Sequence, residues 1–326
     1  MKSILFSVLP LALVATTLAE DPWLVFEGKA GPGKGKHVVL VSGDEEYRTE
    51  EAFPMLGRLL AEKHGFKCTV LFPIDLKTGE INPNEQTNIP GVEAIDSADF
   101  LILGLRFREL PDDKMKHIVD HVEAGKPLLG LRTSTHAFNY EDNKQSPYAS
   151  WSFNKDGGFG RKVLGETWVN HHGAHGSQSC RGVIEEAHKD HPLLRGVENI
   201  WGPSDVYGIT KLPDDATVLF RGQVLTGMKP DDGPLAGPKN DPMMPAGWIR
   251  KRDLGNGKTQ NVICSTMGAA TDFVEPGLRR FVVNSAYWAC GLEVPEKLDV
   301  EPVGDYKPTD FGFNTFKKGV KVSDLK

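Results

Sequence analysis

Apolar residues fall along the first half of this chain in two alternating rhythms. The run at 37–42 (HVVLVS) is continuous and β-branched. Such a run predicts a strand covered on both faces, as parallel strands are. After a polar turn at 43–49, Ala52, Phe53, Leu56, Leu59 and Leu60 recur at helical spacing, and Gly65 closes the helix. Pro54 is placed near the first turn of that helix, where a missing N–H costs little. Further strands are predicted at 67–72, 100–105 and 127–131, the first two separated by a long loop at 73–97. Met115, Ile118, Val119 and Val122 mark a second helix, opened by Pro111 and ended by Gly125. His117 and His121 stand four apart off this apolar stripe and are expected to be solvated. Strands joined by crossovers predict an α/β fold: a doubly wound, mostly parallel sheet with helices on both faces.

Between 139 and 179 neither period survives, and Gly, Asn, Trp and His dominate. Structureless stretches of this length inside a compact domain are usually functional. Strand-like runs return at 182–187, 217–220, 246–249 and 261–266, and a helix at 278–290 ends at Gly291. Residues 297–326 are charged and poor in apolar positions, which reads as a C-terminal tail lying on the surface. With no repeat and no linker, residues 20–296 read as a single domain.

The N-terminus changes the picture of where the protein works. Lys2, an apolar run from Ile4 to Val14, and small residues at Thr17 and Ala19 have the form of a secretory signal cut after Ala19. The run is too short to span a bilayer, so no membrane span is expected once it is removed. The expected location is secreted or periplasmic. An oxidising compartment permits disulfides, but four cysteines allow three full pairings and no C-x-x-C is present. Small buried thiols with at most one bridge are expected. Cys180 is read as lying in an irregular stretch. The formal net charge of −6 argues against a nucleic-acid partner.

In open α/β sheets, ligands bind beyond the carboxyl ends of the strands. After the first predicted strand come Asp44, Glu45, Glu46, Tyr47 and Arg48; after the third, Arg106, Arg108 and Glu109; after the fourth, Arg132, Thr133, Ser134, Thr135 and His136. Glu50 and Glu51 read as solvated acids at a helix N-terminus. Gly130-Leu131-Arg132-Thr133-Ser134 has the strand-to-turn character of a nucleophile elbow, yet the nucleophile position holds Arg132. A guanidinium clamps anions or hydroxyls and does not attack a carbonyl. The densest constellation is Asn170-His171-His172-Gly173-Ala174-His175. Its histidines leave three roles open: ligands of a divalent metal such as zinc (His171, His172, His175), substrate contact or acid–base work, or a polar loop. Tyr148, Trp151, Phe153 and Trp168 suit stacking on a sugar face. Glu45 or Glu46, Arg132, His136 and the histidine loop are expected to meet in one pocket.

Together these motifs resemble the trehalose-utilisation (ThuA-like) family, which shares the class I glutamine amidotransferase-like, flavodoxin-like architecture. The resemblance runs from about 37 to 295. It is carried by Gly130-Leu131-Arg132, by Gly165 to His171, by Asp190-His191-Pro192 with Gly196-Val197, and by Pro245 to Trp248 with Gly255, Gly257, Gly268 and Gly291. His191 is expected to serve the turn before Pro192. The chain departs from the family at Arg132 and Ala269, where the family usually has histidines. It lacks the amidotransferase cysteine, so no glutaminase activity is implied. What the resemblance implies is carbohydrate metabolism: a hydrolase or lyase acting on a sugar derivative, such as an oxidised disaccharide. The alternative is a sugar-binding or accessory module without catalysis. On the enzymatic reading, Arg108, Arg132, Ser134, Tyr47, Arg48 and Trp168 hold substrate. His136, His171 or His172 moves a proton, and Glu45 or Glu46 assists.

Overall fold

The computed structural model describes residues 21–255 and 257–326; the signal segment at 1–19 lies outside them. Among these residues ten strands form one sheet: β1 (Trp23–Phe26), β2 (His37–Gly43), β3 (Lys67–Leu71), β4 (Phe100–Leu105), β5 (Leu128–Leu131), β6 (Cys180–Ile184), β7 (Trp201–Gly202), β8 (Ala216–Val224), β9 (Met244–Gly255) and β10 (Lys258–Ser265). Their order is β1-β3-β2-β4-β5-β10-β9-β8-β6-β7. The five strands from β3 to β10 in that order run parallel. All other pairings are antiparallel.

The sheet is therefore mixed, not mostly parallel. The reason is connection length in the second half. β10 begins three residues after β9 ends, and so short a link permits only an antiparallel hairpin. The predicted strands at 37–42, 67–72, 100–105 and 127–131 are β2 to β5. β1 is not among the predicted strands; it is four residues long and pairs at the sheet edge with β3.

Among the described residues, three α-helices cover the sheet: α1 (Thr49–His64), α2 (Asp112–Glu123) and α3 (Pro276–Ala289). Alternation along β2 divides the core. Val38 and Leu40 pack with Phe53 and Leu56 of α1 and with Phe281 of α3. Val39 and Val41 face the opposite side, where Met115, Ile118 and Val122 of α2 lie. Helices thus lie on both faces, as expected.

Several local expectations change. α1 starts at Thr49, so Pro54 lies inside it, beyond the first turn. Glu50 is buried and not solvated. His121 is buried too; its ring Nε2 lies 3.0 Å from the Pro127 carbonyl oxygen, a polar partner inside the fold. All four cysteines are buried and free, and Cys180 opens β6. His191 does serve its turn, accepting a hydrogen bond at Nδ1 from the Leu193 amide, 3.2 Å away. The C-terminal segment does more than lie on the surface, because Val300 and Val322 are buried in the α1/α3 core. Among the described residues no helix is long and apolar enough to cross a membrane.

Candidate functional site

Adjacent strands β4, β2 and β3 place a change of winding direction beside β2, because the chain runs from β2 out to β3 and returns to β4. Crevices at such points are where open α/β sheets take ligands. The loops there carry backbone strain. Arg48, Phe107 and Arg132, just beyond the ends of β2, β4 and β5, all adopt left-handed φ values, of 60°, 52° and 45°. Each costs about 1–3 kcal/mol and persists only where the surroundings hold it. For Arg132 the room comes from Gly268: a Cβ there would stand 2.9 Å from that of Leu131.

The Arg132 side chain turns inward. Its guanidinium lies over the rings of Tyr207 (3.8 Å to the centroid) and Tyr47 (4.5 Å). Nη1 donates to the carbonyl oxygens of Asp205 (2.6 Å) and Thr266 (2.8 Å). Nη2 donates to Tyr47 Oη (3.0 Å) and Asp205 Oδ1 (2.7 Å). Such a planar fork suits a carboxylate better than any other side chain.

Asp205 is the hub. It is fully buried, and its oxygens also accept hydrogen bonds from His171 Nδ1 at Oδ2 (2.8 Å) and from His175 Nδ1 at Oδ1 (3.0 Å). Burial alone would push this carboxyl up; the Arg132 charge and the two imidazole donors hold it well below the usual carboxylate range. An ionised Asp205 accepts only, so it fixes a proton on Nδ1 of both rings. For His171 this leaves Nε2 free, with no hydrogen bond to any described residue, on a side chain 36% exposed.

His175 lies between two acids. Its Nε2 is 3.3 Å from Glu46 Oε1. The hydrogen bond to Asp205 is the largest cause that raises its pKa above 6.5, with burial opposing and Glu46 adding. Burial, reinforced by Asp44, in turn raises the Glu46 carboxyl. The acidic loop is itself held in place. Asp44 Oδ1 accepts from the amides of Glu46 (2.8 Å) and Tyr47 (3.0 Å), and its Oδ2 accepts from Thr133 of the elbow. On the far side, Asp272 accepts from Ser204 Oγ (2.6 Å) and from the Gly268 amide (2.9 Å), tying the Asp205 loop to the end of β10.

His136 is buried among aromatic rings: Phe107 at 5.1 Å, Trp168 at 5.7 Å and Tyr207 at 6.2 Å between centroids. Burial, with Arg106 and Arg132 nearby, drives its pKa well below 6.5, so the ring is neutral. Trp168 also packs edge-on to His171, 5.6 Å away.

The expected convergence of Arg132, His136, His171, His175 and Glu46 is therefore present, but five of the residues predicted to hold substrate are buried, with their side chains turned to partners inside the fold. Arg132 is spent on Asp205, Thr266 and Tyr47. Arg108 is buried, donating to Glu45 Oε2 (2.9 Å) and to the Pro83 (3.0 Å) and Glu85 (2.7 Å) carbonyls. Ser134 Oγ donates to the Leu103 carbonyl (2.8 Å) inside the sheet. Arg48 donates to the Glu45 and Gly312 carbonyls and to Thr315 Oγ1. Tyr47 is likewise buried beneath His175. Glu45 is held by Arg106 and Arg108.

His172 departs from its neighbours. Its Nε2 lies 2.8 Å from the Lys239 carbonyl oxygen. The group whose ligand atoms lie within 4.8 Å of one another, as a metal needs, is His171, His175 and Asp205. Of the three histidines predicted as possible ligands, His172 is not in this group, and Asp205 is. Of the aromatics predicted near the site, Trp151 stacks on Phe159 at 5.4 Å and Tyr148 packs against the α2-side core. Only Phe153 and Trp168 reach His136. Asp205, Asp272 and Tyr207 are not among the predicted site residues. Their only sequence signal is polarity in an irregular stretch.

No family model matches the chain, and no curated protein does. Solved structures do. A ThuA-like protein of Parabacteroides merdae aligns with a TM-score of 0.51 at 14% identity, covering 86% of this chain and 96% of that one. A ThuA-like protein of Bacteroides uniformis aligns at 0.47, also with 14% identity, over 80% and 93%. PurLQS of Thermotoga maritima aligns at 0.40 and 14% identity, over 78% and 97%. At the level of fold, then, the chain is like the ThuA-like protein of P. merdae.

Proposed function

We propose that this protein is an exported enzyme that cleaves a sugar derivative by proton transfer, as a hydrolase or a lyase, with His171 Nε2 as the acid–base atom. The observation that carries the reading is the Arg132–Asp205–His171 chain. A buried carboxylate, clamped by a guanidinium, holds the imidazole by Nδ1 and leaves Nε2 without a hydrogen-bond partner on a partly exposed side chain. Arg132 and Asp205 are positioning residues. His175 and Glu46 form a second pair able to hold a proton beside it. The sugar assignment draws on the ThuA-like fold and on Trp168 beside His171. The doubly wound, amidotransferase-like core is part of the same reading, with Arg132 where a nucleophile would stand; the four thiols are buried in the fold. No glutaminase chemistry is therefore proposed.

A divalent cation is a second reading, favoured by the spacing of His171, His175 and Asp205. Against it stands Arg132, whose charge already occupies the same carboxylate.

The test is turnover of a panel of glucose disaccharides and their ketone-oxidised forms by native protein and by His171→Gln. Cleavage by the native chain, with kcat reduced about 10²–10⁴-fold in the variant, is the expected result. Undiminished cleavage in the variant overturns the assignment, and binding without turnover turns the enzyme into a binding module.

A further inference from the structure

The C-terminal segment crosses the mouth of the site. Residues 306–312 are pinned to α1 and to two of the loops that build it. Tyr306 Oη donates to the Ala270 carbonyl (2.8 Å), just beyond β10. The Thr309 amide and Oγ1 donate to Glu51 of α1 (2.9 and 2.6 Å). The Gly312 amide donates to the Glu46 carbonyl (2.8 Å), while Arg48 grips the Gly312 carbonyl from below. These anchors deliver one ring to the histidines: Phe311 lies 5.4 Å from His175 and 5.3 Å from Tyr47.

The result is a row of four rings. Trp168 packs on His171 at 5.6 Å, His171 on His175 at 4.8 Å, and His175 on Phe311 at 5.4 Å. The two imidazoles in the middle are exposed, while the aromatic rings at the ends are half-buried. His171 Nε2, which can hydrogen-bond a hydroxyl, thus lies in a row ended by two apolar rings, while both nitrogens of His175 face acids. A pyranose presents that alternation, with C–H faces and equatorial hydroxyls. Rigid aromatic rings give contact area at low entropic cost.

We infer that Phe311 is a binding residue of this site, supplied by the C-terminal segment, and that it packs against one ring of a disaccharide whose other contacts are His171, His175 and Trp168. This rests on the sugar reading above and extends it by naming the chain's last segment as part of the binding surface.

The experiment is calorimetric titration of the full chain with α- and β-linked glucose disaccharides and their ketone-oxidised forms. The variants are Phe311→Ala, Phe311→Trp and, as a control, Leu76→Ala, which removes an apolar side chain that is 76% exposed elsewhere. Expected is a disaccharide that binds the native and Leu76→Ala chains alike, binds Phe311→Ala about fivefold or more weakly, and recovers in Phe311→Trp. Imidazole NMR signals of the free variants separate loss of the contact from misfolding: His175 should shift in Phe311→Ala, and His136 should not. Equal affinity of native protein and Phe311→Ala overturns the inference and leaves the sugar reading standing. No binding of any of these sugars to the native chain overturns both.

Discussion

Single residues here change meaning between sequence and structure according to whether water reaches them. Arg132 and His136 stand where the elbow pattern places them. Yet Arg132 turns inward and offers a ligand no exposed donor, because Asp205 meets it from a loop 73 positions away and its one unpartnered donor, Nε, is buried. That partner is not legible in the sequence: a lone Asp in an irregular stretch has no period or spacing to single it out. The same holds for Glu50, which reads as a helix-start acid and is buried with neither carboxylate oxygen hydrogen-bonded. Its nearest cation, Arg48 Nη1, is 4.0 Å away. Burial pushes Glu50 from 4.5 up to about 8. Between those values the folded state holds a proton that the unfolded chain has lost, so rising pH weakens the fold across this window. Glu50→Gln keeps the shape without the charge. It should raise the unfolding temperature by roughly 2 °C or more at pH 9, where the penalty is complete, and leave it nearly unchanged at pH 5. Thermal unfolding at the two pH values checks this; an equal shift at both would mean that Glu50 acts through packing and not through its charge.

At the scale of elements, what is legible is what burial on both faces makes legible. β2, β4 and β5 are unbroken apolar runs because helices cover both sides of the sheet, and a strand with one face in water would alternate instead. The antiparallel half is legible only in fragments. β8 and β9 extend to nine and twelve residues by continuing through polar positions on a more open face, where apolar pattern gives no signal. The misreading of the sheet follows from this: with the strand ends hidden, the short hairpin links do not show, and the sequence reads as mostly parallel. The irregular stretch at 139–179 delivers Trp168, His171 and His175 to the strand ends, where they pack in a row. Its remaining aromatics are spent on packing, as in the stack of Trp151 on Phe159.

For the whole molecule, the site is assembled from both ends of the fold: acids from the loop after β2, the elbow after β5, histidines from the long insertion, Asp205 from the antiparallel half, and Phe311 from the last segment. Export remains our proposal for where this assembly works. Mass spectrometry of protein made in a secreting host should place the mature N-terminus at Glu20, whereas an intact Met1 on protein retained inside the cell would oppose it. The central claim is that one buried carboxylate sets the proton positions of two imidazoles. Nitrogen-resolved NMR of the histidine rings near neutral pH tests this most directly. Expected are His171 with its proton on Nδ1 and a free Nε2, and His175 titrating above 6.5 while His136 titrates below it, with Asp205→Asn abolishing the first two features. A His171 ring protonated on Nε2 alone, or a His175 titration unmoved by Asp205→Asn, would contradict it.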